Sequence, residues 1–110
     1  TVMKLMAARL GAAAALAACS LSAIAQAPAA PIDARAGAYL SANCANCHGT
    51  QGKSVGAMPS LAGQSKATIV EAMRAFRDGK RPATIMHQLS RGYSDAQIDA
   101  IADHLSKLPR

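Results

Sequence analysis

A chain of 110 residues with one Phe, two Tyr and no Trp can build one small domain, and that domain has few large side chains with which to fill a core. Much of its 51% apolar fraction is alanine, so a large apolar group from outside the chain would add more to the interior than most of its own residues. The net charge of +6 is scattered, with no basic run and no aromatic interleaving, which argues against a nucleic-acid partner and suits docking to an acidic protein.

Residues 1–25 read as an export leader. Lys4 and Arg9 give a positive start, Leu10 to Ala18 an apolar stretch, and Ala23-Ile24-Ala25 a small-x-small cleavage site with Gln26 as the new N-terminus. The uncharged run from Leu10 to Ala25 is 16 residues, short of the roughly 20 that a spanning helix needs, so no transmembrane segment is expected after processing. Leu16-Ala17-Ala18-Cys19 also fits a lipoprotein box, which would leave a lipid anchor on Cys19. Cleavage after Ala25 is favoured over lipidation. Either route accounts for the odd cysteine, and the mature chain then carries four Lys and six Arg against six acidic residues, a net +4.

Residues 26–32 form a Pro/Ala linker, and the domain is expected over 33–110. Asp33 is placed to cap a first helix running to about Asn43. Residues 49–64 are rich in Gly, Ser, Gln and Pro and read as a long loop, a length that in a small domain usually wraps something. Ser65 caps the next helix, with Ile69, Met73 and Phe76 on its apolar face, Val70 beside them, Arg74, Arg77 and Lys80 on the wet face, and Gly79 as its stop. Pro82 suits the first position of a short helix over 83–90, ended by Gly92. Ser94-Asp95-Ala96-Gln97 is a capping box, and Ile98, Ile101, Leu105 and Leu108 give the stripe of the last helix, closed by Pro109. No segment alternates with period two, so the expected class is all-α.

Cys44-Ala45-Asn46-Cys47-His48 is C-x-x-C-H, the attachment signature of a c-type haem. The two thiols add to the two vinyl groups of a porphyrin, and the next residue is placed under the iron as an axial nitrogen ligand. Other chemistries use paired cysteines. A disulfide across so short a loop is strained. A thioredoxin-like pair needs a βαβ setting. A zinc site needs further ligands at paired spacing, and His87 and His104 are poorly placed for one. An exported all-helical chain favours haem. The sixth ligand comes from Met58, Met73, Met86 or His87. Met73 lies on a core stripe, and Met58 is tied to Pro59 on the His48 side. Met86 is far enough along to reach the other face, so it is the expected ligand, with His87 next.

These segments, C-A-N-C-H-G, M-P-S-L-A-G-Q (58–64), F-R-D-G-K-R-P-A-T-I-M (76–86) and G-Y-S-D (92–95), resemble the class I cytochromes c over roughly Asp33 to Leu108. Within that family they are similar to the cytochrome subunit of flavocytochrome c sulfide dehydrogenase and to the haem domains of tandem di-haem cytochromes. The resemblance implies four to five short helices around one covalent haem c. It implies Cys44 and Cys47 as thioether cysteines, His48 as proximal ligand, Met86 as distal ligand, and the Pro59 carbonyl as acceptor from the proximal imidazole. It also places Gly37 and Tyr39 where the first helix crosses the last. The chain departs from the pattern at His104, where an aromatic is usual, and in holding a single C-x-x-C-H.

The implied function is one-electron transfer in the periplasm, not catalysis, with electrons accepted from a sulfide-oxidising flavoprotein subunit or another redox protein, and a ring of Lys and Arg around the haem edge as the docking surface. A free or lipid-anchored shuttle to a terminal oxidase would share this site and differ in partner. A haem enzyme such as a peroxidase would need a vacant distal position. A gas-binding bundle cytochrome would carry the motif near its C-terminus.

Overall fold

Asp33 organises the start of the first helix: its carboxylate accepts hydrogen bonds from the backbone N–H groups of Arg35 and Ala36 at 2.7 and 2.9 Å. Those donors have no partner inside a helix, and a short acidic side chain supplies one. The computed structural model describes residues 32–33 and 35–110. The leader with Cys19, and the linker apart from Ile32, lie outside them.

Helix α1 (Ala36–Ser41) does not stop near Asn43. It tightens into a 3₁₀ turn, Ala42–Cys44, and continues as the single turn α2, Ala45–His48, with right-handed helical backbone at every junction. The motif therefore sits on a nearly continuous helical run. Gly49 ends it at φ +84°, and a Cβ there would overlap the Lys53 carbonyl, so the sharp exit requires glycine.

The 49–64 stretch is more organised than a plain loop. A short 3₁₀ turn, Thr50–Gly52, opens it, and the Gly52 carbonyl then accepts from the N–H groups of Leu61 and Ala62 at 2.8 and 3.1 Å. Gly63 N–H donates to the Leu105 carbonyl at 3.0 Å, pinning the far end to the last helix.

Ser65 caps α3 (Lys66–Arg77), its Oγ accepting from the Thr68 N–H at 3.1 Å. Ile69 and Met73 are buried. Phe76 is only half-buried, and the Arg81 guanidinium lies 4.7 Å from its ring centre. The next helix, α4, runs Met86–Ser90 and begins three residues later than the expected 83. Pro82 has the right φ for a first helical position, but Arg81 before it lacks the short side-chain oxygen that caps a helix. The last helix, α5 (Asp95–Ser106), opens on a complete capping box between Ser94 and Gln97. Among the described residues there is no strand, and no helix is long and apolar enough to cross a membrane.

Ile69, Met73, Ile98, Ile101, Ala102 and Leu105 form the core, with Leu40, Leu61, Val70, Met86, Tyr93 and Leu108 packed half-buried around it. Helix α1 packs on α5, and α3 packs on both α4 and α5. At the α1–α5 crossing, a Cβ on Gly37 would overlap the Ala100 carbonyl and stand 3.0 Å from the His104 Cβ. Tyr39 is not in this crossing: it is 75% exposed. Two residues advance a helix by about 200°, so when Gly37 faces α5, Tyr39 faces water, and Leu40 is the α1 side chain that reaches the core.

Lys66 pairs with Asp99 at 2.7 Å, and Asp95 takes both Arg77, at 2.9 Å, and Arg74, at 3.3 Å. These pairs join α3 to α5 on the exposed side, where each contributes little. The hydrogen bond and charge of Arg77 hold the Asp95 carboxyl below its ordinary range, and Lys107 does the same for Asp103.

Two outcomes follow from this packing. Gly37→Ala should lower stability by about 1–3 kcal/mol through overpacking at the crossing, read from the denaturant midpoint of the intact protein. Because Asp95 and Asp103 have depressed folded pKa values, the stability they contribute is present above about pH 4 and is lost as pH falls through those values. Asp95→Asn should therefore flatten the acid-side fall of the unfolding midpoint, and added salt should mask the difference.

Candidate functional site

The two motif cysteines stand three residues apart on the helical run, a spacing that makes side chains neighbours on one surface. Cys44 is half-buried and Cys47 exposed, and no disulfide joins them. Burial pushes the Cys44 thiol above its ordinary pKa, with a backbone hydrogen bond opposing more weakly. A redox-active cysteine pair needs the opposite, a stabilised thiolate. No group of three or more His, Cys, Asp or Glu side chains converges among the described residues, so nothing resembles a zinc centre there.

His48 closes α2 and is 7% exposed. Its Nδ1 lies 2.7 Å from the Pro59 carbonyl oxygen. A carbonyl only accepts, so Nδ1 must carry the proton and donate. In the neutral ring that tautomer leaves Nε2 with its lone pair, and no hydrogen bond to Nε2 occurs among the described residues. An imidazole held at one nitrogen by a backbone carbonyl, with the other nitrogen basic and open, is the usual state of a metal-ligating histidine. The backbone brings Pro59 there: Gly49 turns the chain out of α2, and the Gly52 carbonyl gathers Leu61 and Ala62 back.

The thioether candidates separate by location. Met73 is buried in the core on α3. Met58 is exposed and directly precedes Pro59. Met86 is the first residue of α4, half-buried against the core. His87 beside it has a buried Nδ1 with no hydrogen-bond partner among the described residues. Flanking Met86 on the outer side of α4, Ile85 and Leu89 expose 47% and 48% of their surface.

One α4 residue was not singled out by the sequence. Ser90 is fully buried, and its Oγ lies 2.6 Å from the Met86 carbonyl and 3.7 Å from the Met73 Sδ. The available signal was a hydroxyl four residues after Met86, on the helix side that faces inward.

Two thiols on one helical surface, an imidazole with a free basic nitrogen, a thioether and uncovered apolar side chains make a donor set that fits an iron porphyrin better than a bare ion. The cleft lined by Lys53, Ser60, Ala62, Gln64 and Arg110 shares none of these residues.

Residues 34–109 match the family described as Cytochrome c. The cytochrome subunit of sulfide dehydrogenase from Chlorobaculum tepidum is 36% identical over 80 residues, which cover 73% of each chain. Cytochrome c-554(548) of Halomonas halodenitrificans is 37% identical over 78 residues, 67% of this chain and 94% of that one. A thiosulfate dehydrogenase electron acceptor from Thiomonas intermedia is 39% identical over 70 residues, 60% of this chain but only 32% of its own. With that match, an all-helical domain and one C-x-x-C-H, the chain belongs to the cytochrome c family: it is an electron-transfer protein with one covalent haem c.

Proposed function

We propose that this cytochrome works in the periplasm, accepting single electrons from a sulfide-oxidising flavoprotein subunit, with its haem attached at Cys44 and Cys47 and its iron held between His48 and Met86. The observation that carries the site is the His48 Nδ1–H to Pro59 carbonyl hydrogen bond, which leaves Nε2 as a ligand of fixed orientation. The likeness to a cytochrome subunit of sulfide dehydrogenase supports the partner class.

The bound haem supplies a one-electron iron couple. Cys44 and Cys47 fix the group to the helical run, so it cannot leave with its electron. Pro59 holds His48 rigid at Nδ1, which limits movement of the ligand between oxidation states. Met86 offers a soft thioether, which favours the ferrous state and closes the site to outside ligands. Ile85 and Leu89 exclude water beside it. A closed site of this kind suits transfer, whereas substrate chemistry needs an open one. Export through residues 1–25, with cleavage after Ala25 or lipidation at Cys19, belongs to the same reading.

The sixth ligand is tested by the weak sulfur-to-iron absorption band of the oxidised protein. Met86→Ala should abolish the band, lower the reduction potential and let carbon monoxide bind the ferrous form, while Met58→Ala keeps the band. The reverse pattern would reassign the ligand to Met58, and a native protein that lacks the band and binds carbon monoxide readily would overturn the closed site. The partner is tested by purification from the native source: a flavoprotein should co-elute and reduce the cytochrome when sulfide is added. A cytochrome that runs alone and is instead oxidised by a terminal oxidase would favour the free shuttle.

A further inference from the structure

Helix α4 has five residues, fewer than a helix needs to persist by itself in water. Its N-cap residue, Ile85, provides no side-chain hydrogen bond. The backbone of Met86, at its first position, is therefore placed by tertiary contacts and not by the helix. The one fully buried residue of α4 is Ser90. Its hydroxyl has a single hydrogen. At 2.6 Å from the Met86 carbonyl and 3.7 Å from the Met73 Sδ, that hydrogen goes to the carbonyl, and the sulfur of α3 lies against the same oxygen as a weaker second partner.

A buried hydroxyl is costly without a partner. When Met86 swings out relative to Ser90, the hydroxyl loses its stronger partner and keeps only the weaker Met73 Sδ in a dry site. Alanine at this position would fill nearly the same space and form the helix at least as well, but it would impose no such penalty. We propose that Ser90 is a positioning residue for the sixth ligand: its buried hydroxyl holds the Met86 carbonyl within α4 and so sets how often the thioether leaves the iron. This rests on Met86 being that ligand.

The test uses the haem-loaded protein and imidazole as a probe, since imidazole binds ferric haem only after the thioether departs. Ser90→Ala should keep the sulfur-to-iron band yet bind imidazole roughly three- to tenfold faster, the scale of one net hydrogen bond. Ser90→Cys, similar in size and a weak donor, should fall between alanine and the native protein. Met73→Leu, which keeps the Ser90 bond to the Met86 carbonyl, should change the rate less than Ser90→Ala does. Global unfolding midpoints are measured alongside. A Ser90→Ala protein with a lower midpoint but an unchanged imidazole rate would show a merely structural serine and overturn the proposal. So would Met73→Leu matching Ser90→Ala in rate, because the effect would then be packing against α3. If the native protein lacks the band, or Met86→Ala leaves imidazole binding unchanged, the Met86 reading fails and takes this proposal with it. That result is distinct, because it appears before any Ser90 variant is compared.

Discussion

The hydrogen bond between His48 and the Pro59 carbonyl is the constraint around which the rest of the site is arranged. It needs a histidine held at the end of a helical run and a loop that returns to meet it. The glycine at position 49 makes the turn, and the bonds on the Gly52 carbonyl and to Leu105 hold the returning strand of chain in place. Much of the 49–64 segment exists to deliver one carbonyl oxygen. Its reward is an Nδ1 committed as donor, and through it a ring whose direction is settled before any metal arrives.

The proposed sixth ligand is held differently. Where His48 is fixed by a backbone carbonyl on a pinned loop, Met86 stands at the start of a short, uncapped helix that depends on its neighbours. The asymmetry suits the two proposed ligands. An imidazole must be aimed, because its donor orbital lies in the ring plane, whereas a thioether on a flexible side chain can find the iron if its backbone is near enough.

How much could be read from the sequence depended on the range of the interaction. The capping serines Ser65 and Ser94 were legible because their partners lie three residues away, and the core stripes of α3 and α5 because burial follows the helical period. C-x-x-C-H was legible because haem attachment requires that spacing. The start of α4 is not legible because Pro82 fits a helix start geometrically, while the actual start after Ile85 carries no capping side chain to mark it. Tyr39 was assigned to the helix crossing by resemblance alone, and helix phase puts it in water. The carbonyl partner of Ser90 is local, four residues back in α4, but its burial and its contact with the Met73 sulfur arise only from the packing of α4 on α3.

The close approach of Gly37 to Ala100 joins the first helix of the domain to the last. Everything in between, including the loop that carries Pro59 and the short helix that carries Met86, is thereby enclosed in a ring of chain whose ends are clasped. Such a ring can open locally at its weakest arc without the clasp parting. Helix α4 has five residues, no side-chain cap and one buried residue, so a local opening there would move Met86 while the α1–α5 crossing stays assembled. Opening at α4 would shift the proposed sixth ligand with the clasp still closed, whereas parting the clasp would release both ends of the domain at once.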